Sequence, residues 1–157
     1  MRTLLLGIGN DILGDDGVGI YVVREAKKKI SHPDLDIVEG LWGGFTILDI
    51  IKGYNKVLIV DGVVDESKPI GEVFWVDLEK LRDHRGFEHS HNIHLPTLLE
   101  VGDKMGYEMP DVLRVLGISI AFTQEFGGYD KMSEDVKTAI PYATEKVFEV
   151  IREWLCI

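Results

Sequence analysis

The chain carries one cysteine, a deficit of basic residues and no long apolar run, and each shortage excludes something. The single thiol, Cys156, lies beside the C-terminus and cannot close a disulfide within the chain. A nucleophile in a fraying terminal segment would be poorly held, so Cys156 reads as a small apolar filler or an inert thiol. Lys and Arg number 17 against 27 Asp and Glu, a formal charge of −10. Nucleic acid and anionic membrane both require a basic footprint, so neither is expected as a principal partner. The basic run Lys27-Lys28-Lys29 falls where a helix would end and reads as solvated surface that complements the helix dipole. No apolar stretch approaches the ~20 residues of a membrane span, and Leu4-Leu5-Leu6 is too short for the core of a signal peptide. The expectation is a cytoplasmic protein without membrane insertion.

Repeats, low-complexity tracts and linkers rich in Pro, Gly or Ser are also lacking, so one domain over residues 1–157 with a single sizeable core is expected. What is present is a regular alternation of short apolar runs and helical patterns. Residues 2–8 read as a strand, and 16–30 as a helix in which Val18, Val22, Ala26 and Ile30 share a face. Residues 36–39 form a second strand, 44–52 a helix with Phe45, Leu48 and Ile51 on one side, and 56–61 a third strand that is apolar until Asp61. Residues 71–76 read as an edge strand, 96–106 as a helix begun by Pro96, 111–118 as another apolar strand and 132–155 as a long terminal helix. Continuous apolar strands alternating with helices predict an α/β fold: three α/β/α layers around a mostly parallel twisted sheet of about five strands. In such sheets ligands bind beyond the carboxyl ends of the strands. That rule directs attention to the loop after strand one, to Asp61, and to residues 84–94.

The loop after strand one is Gly7-Ile8-Gly9-Asn10-Asp11-Ile12-Leu13-Gly14-Asp15-Asp16-Gly17-Val18-Gly19. Its five glycines predict room for a ligand or partner chain to approach the backbone. A dinucleotide fingerprint requires Gly-x-Gly-x-x-Gly, but after Gly9 the next glycine is Gly14. Asp15 and Asp16 would also repel a pyrophosphate at the helix N-terminus. A P-loop fails as well, since no Gly-Lys-Ser/Thr follows. Two adjacent acids at a helix start face different directions, so one can cap free amides while the other points into the crevice. Capping suits Asp15. Asp61, before Gly62, is either a turn-forming aspartate or a rim carboxylate whose pKa burial would raise. Glu88-His89-Ser90-His91-Asn92-Ile93-His94 holds three of the five histidines, either as a solvated polar loop or as a source of imidazole ligands. Two aspartates and a histidine would make a mixed oxygen–nitrogen site with open positions, suited to substrate or water.

Taken together, these segments resemble a known family. Leu4-Leu5-Leu6-Gly7-Ile8-Gly9-Asn10 followed by Gly14-Asp15-Asp16-Gly17-Val18-Gly19 is similar to the N-terminal signature of the hydrogenase maturation peptidases. Leu58-Ile59-Val60-Asp61 resembles that family's second motif and Ser90-His91-Asn92-Ile93-His94-Leu95-Pro96 its third. Leu116-Gly117-Ile118 resembles the strand before the terminal helix, so the likeness spans nearly the whole chain. It implies an endopeptidase that removes a C-terminal extension from the large-subunit precursor of a nickel–iron hydrogenase once nickel is inserted. By motif position Asp16, Asp61 and His91 would be the metal-binding and catalytic trio, with His89 and His94 as alternatives for the histidine. The resemblance also implies that nickel arrives already bound by the precursor, although other divalent metals can occupy such a site. Either the metal as Lewis acid or Asp16 or Asp61 as base would then activate water. The segment Glu39-Gly40-Leu41-Trp42-Gly43-Gly44 departs from the Asp-Gly-Gly-Thr found in many family members, and is expected to bear on which hydrogenase is recognised. Nothing marks Ser90 as a nucleophile. A non-catalytic nickel-sensing or metallochaperone module is the alternative for the same trio.

Overall fold

The computed structural model describes residues 1–40, 45–79, 95–121 and 125–157. Its sheet has strands β1 (Thr3–Ile8), β2 (Leu35–Gly40), β3 (Lys56–Val63), β4 (Val73–Trp75) and β5 (Val112–Ser119) in the order β2-β1-β3-β5-β4. The first four positions of that order are parallel, and β4 closes the edge antiparallel to β5. Helices α1 (Val18–Lys29), α2 (Phe45–Ile51), α3 (Leu95–Lys104) and α4 (Glu134–Leu155) complete the described elements.

Alternation along the inner strands decides which layer each residue joins. Leu5, Leu58, Val60, Leu116 and Ile118 face α1 and α4, where Val18, Val22, Ala26, Val136, Ala143, Val147 and Ile151 meet them. Leu4, Leu6, Ile8, Val57, Ile59 and Val115 face Ile47, Ile51, Leu95 and Leu98 of α2 and α3. The sheet is therefore covered on both sides, as continuous apolar strands require. No helix among the described residues is long and apolar enough to cross a membrane.

Three sequence expectations need correction. The helix after β1 starts at Val18 rather than residue 16, because Gly14–Gly17 form a separate 3-10 turn. Phe45 is exposed while Ile47 is buried, so α2 turns Ile47, Leu48 and Ile51 inward. Residues 45, 48 and 51 repeat every three positions, and a helix drifts off such a stripe within two turns. Cys156 is exposed at the left-handed residue that ends α4, so it fills no core space. Lys27, Lys28 and Lys29 do lie exposed in the last turn of α1, with Lys28 Nζ 2.6 Å from Glu25.

Candidate active site at the carboxyl rim of the sheet

The carboxyl ends of β1 and β3 lie side by side, with Gly7 opposite Val60. The first turn of α1 presses directly on them. An added Cβ at Gly19 would collide with the carbonyl oxygen of Val60 and lie 2.5 Å from that of Ile8. A Cβ at Gly9 would collide with the carbonyl oxygen of Asp16, and one at Gly7 would lie 2.7 Å from Val23 Cγ2. Glycine at these positions admits the protein's own backbone rather than a ligand, which corrects the open-loop expectation. Gly14, at φ +51°, takes the left-handed conformation that starts the 3-10 turn. The turn closes through Asp16 N–H donating to Leu13 O at 3.0 Å and Leu13 N–H donating to Asn10 O at 3.1 Å.

The two acids of this turn are both buried and are held differently. The Asp15 side chain makes no cap bond to the helix that follows. Its Oδ1 accepts Ser133 N–H at 2.6 Å, and its Oδ2 accepts the Ser133 hydroxyl at 2.7 Å and Ala121 N–H at 3.2 Å. The expected local cap is thus replaced by a long-range tie to the β5–α4 connection. Asp16 Oδ2 accepts Asn10 N–H at 3.2 Å, and the same N–H lies 3.3 Å from Asp16 O.

Asp61 is inside β3, since the strand continues to Val63 with Asp61 opposite Gly117 and Val63 opposite Ser119. The turn reading of Asp61-Gly62 is therefore overturned. Pairing with β5 extends the strand past the dipeptide, and a ladder of hydrogen bonds outweighs a local turn preference. By alternation Asp61 follows Val57 and Ile59 onto the α2–α3 side, while Asp16 descends from the α1 side. The two carboxylates meet electrostatically at the rim. Burial first, and the Asp16 charge second, push the Asp61 carboxyl well above the ordinary range, and the Gly62 amide offsets part of this. A carboxyl held this way resists ionisation unless positive charge arrives.

His91, with His89 and His94, lies outside the described residues, as do Leu41-Trp42-Gly43-Gly44. The next described residue, Leu95, is buried in the α2–α3 layer to which Asp61 alternates. Among the described residues no group of three His, Cys, Asp or Glu side chains is assembled for a metal. Asp16 and Asp61 are brought together. The third member of the trio, His91, lies outside the described residues.

Two features of the rim escaped the sequence reading. Arg24 of α1 bridges β2 and the loop after β1, with Nε 2.9 Å from Glu39 Oε1 and its terminal nitrogen 2.9 Å from Asp11 Oδ2, across a pocket of about 100 Å³ beside Gly9 and Asn10. Ile12 O accepts Gly127 N–H at 3.0 Å and Gly128 N–H at 3.3 Å, joining the loop after β1 to the loop after β5. Both ties link residues distant in the chain, and no local pattern announces them. A larger groove of about 660 Å³ between α1 and α4, lined by Tyr21, Lys28, Tyr129 and Pro141, contains neither Asp16 nor Asp61.

The comparisons agree with this architecture. Residues 20–150 match the family model described as hydrogenase maturation protease. Protein FrxA of Pyrococcus furiosus is 34% identical over 150 residues, covering 90% of this chain and 98% of that protein. The hydrogenase 2 maturation protease of Escherichia coli is 24% identical over 156 residues, covering 98% of this chain and 92% of that protein. The solved structure of the hydrogenase maturating endopeptidase HybD from Escherichia coli superposes with a TM-score of 0.80 over 98% of this chain and 93% of that one, at 24% identity, and shows the same fold. The matched family model spans well over half of the sequence, from within α1 to within α4 and including Asp61, and the chain belongs to the hydrogenase maturation protease family.

Proposed function

We propose that this protein is the endopeptidase that removes the C-terminal extension of a nickel–iron hydrogenase large-subunit precursor after nickel insertion, and that it recognises nickel carried by that precursor. The observation that supports the reading is the convergence of Asp16 and Asp61, two buried carboxylates from different elements, at the carboxyl rim. Burial and the Asp16 charge disfavour ionisation of Asp61, and a divalent cation would relieve that. Two oxygen donors suit a metal that already holds ligands from its carrier, because a complete protein cage would compete for it. Asp16 and Asp61 would contact the precursor's nickel, with His91 added by the family resemblance. The metal, when delivered, would supply Lewis-acid polarisation at the scissile bond.

The chain's own residues have separable tasks. Asn10 N–H holds the Asp16 carboxylate in place at 3.2 Å. Asp61, raised above the ordinary carboxylate range by burial and by the Asp16 charge, is a candidate for proton transfer to or from water. Asp16 is the other candidate for that base. Asp61 is fixed within β3, and Asp16 in the hydrogen-bonded 3-10 turn that precedes α1.

The test is incubation with nickel-loaded and nickel-free precursor, read by the mass of the large subunit. Cleavage of the nickel-loaded form alone, lost in Asp16→Ala and His91→Ala, is the expected result. If the precursor keeps its extension and those variants differ only in metal affinity, the protein is a nickel-sensing or metallochaperone module instead.

A further inference from the structure

We propose that Asp15 is a positioning residue for the paired carboxylates, setting through Ser133 and Ala121 the turn from which Asp16 faces Asp61. The inference rests on the peptidase reading above. Asp15 and Asp16 occupy one four-residue turn and are both buried. Asp15 takes three donors from the β5–α4 connection, two from Ser133 and one from Ala121. Ala121 follows β5 and Ser133 precedes α4, so a single side chain ties both ends of that connection to the turn.

The contact comes at the expense of a local preference. Ser133 is the residue before α4, where a serine hydroxyl ordinarily accepts a bond from the helix's own free amides. Here it makes no such cap, and its hydroxyl donates to Asp15 at 2.7 Å. A residue that departs from its best local use marks a site under a non-local demand. The demand is legible on the other side of the turn. Asn10 N–H is shared by Asp16 O and Asp16 Oδ2, so the alignment of the Asp16 carboxylate is coupled to the place of the turn over β1. The link from Ile12 O to Gly127 and Gly128 holds the same two loops together a few residues away. Adjacent Cα atoms are about 3.8 Å apart, so slack at Asp15 passes directly to Asp16.

The experiment compares Asp15→Ala, Asp15→Asn and Ser133→Ala with the unaltered chain, by hydrogen exchange of single amides and by processing kinetics. Asparagine keeps one acceptor for Ser133 N–H and can donate to the Ser133 oxygen, so it is the mild variant. Expected for Asp15→Ala is faster exchange at Ala121, Ser133 and also Asn10. Processing should fall about 10–100-fold in kcat with KM little changed, the scale lost when an outer support is removed. Asp15→Asn should recover most of that loss, and Ser133→Ala should fall between them. If Asp15→Ala does not fold, the Asp15→Asn and Ser133→Ala pair decides the same question. Faster exchange confined to Ala121 and Ser133, or unchanged kcat despite faster exchange at Asn10, overturns the proposal. An unaltered chain that cleaves no precursor overturns the peptidase reading instead, and the exchange at Asn10 still decides whether Asp15 positions the Asp16 turn.

Discussion

Asp15 and Asp61 are both buried carboxylates near the same rim, and the fold treats them in opposite ways. Asp15 is met by three donors, so its negative charge is compensated where it sits. Asp61 is placed against a second carboxylate, and burial with that charge disfavours its ionised form. Burying a charge is costly unless hydrogen bonds or an opposite charge answer it. The first site is therefore an internal fastening, and the second is one where burial and a neighbouring charge work against ionisation. Stability is concentrated in one and given up in the other.

The contrast can be broken or sharpened experimentally. The largest effect belongs to Asp61→Asn, which should lower processing by about 10²–10⁴-fold, the range for losing a positioned acid or base, while the protein stays folded. Processing at the unaltered rate would remove Asp61 from the site. Next in size, Asp15→Ala should destabilise the fold by about 2–4 kcal/mol, measured by urea unfolding, because three buried donors lose their acceptor. A loss within experimental error would place Asp15 with the exposed acids. Gly19→Ala should cost about 1–3 kcal/mol in the same assay, since its Cβ meets two strand carbonyls, whereas Gly62→Ala meets only side chains and should cost less. Reversal of that order would show that α1 can lift from the strand ends.

The smallest effect concerns pH and sharpens the comparison most. Asp61 has a raised pKa in the folded state, so the folded chain binds its proton more tightly than the unfolded chain does. Below about pH 4 both states are protonated and Asp61 imposes no penalty. As pH rises through the folded value, the penalty grows and stability falls. Asp61→Asn removes it, so the Tm of this variant relative to the unaltered chain should rise by a few degrees between pH 4 and pH 7. A difference in Tm that stays flat with pH would mean that Asp61 ionises as easily folded as unfolded.

Much of the fold was legible locally. Leu4-Leu5-Leu6 and Val57-Leu58-Ile59-Val60 could be placed only in strands covered on both faces, and both are fully buried. The four-residue repeat Val18, Val22, Ala26 identified the inner face of α1 correctly because four is close to the helical period. Phe45 misled because a three-residue repeat does not persist on one face. The strand end at Asp61 misled because Asp-Gly is a strong local turn signal, while pairing with β5 is not visible locally. The glycines of the first loop were recognised as demanding space, but the occupant of that space is the main chain of Asp16, Ile8 and Val60.

Sequence alone determined the composition of the rim: which strands are buried, that Asp16 follows one of them and Asp61 closes the apolar run of another, and which family the motifs resemble. These follow from periodicity and motif order, which are properties of neighbouring residues. Only the tertiary structure decided that Asp15 reaches Ser133, 118 residues on, and that the glycines seat α1 on the strand ends. It also decided that Asp16 and Asp61 lie close enough for one charge to resist the other. Those outcomes depend on distances between segments far apart in the chain. Parallel pairing and helix packing set such distances, and no local pattern encodes them.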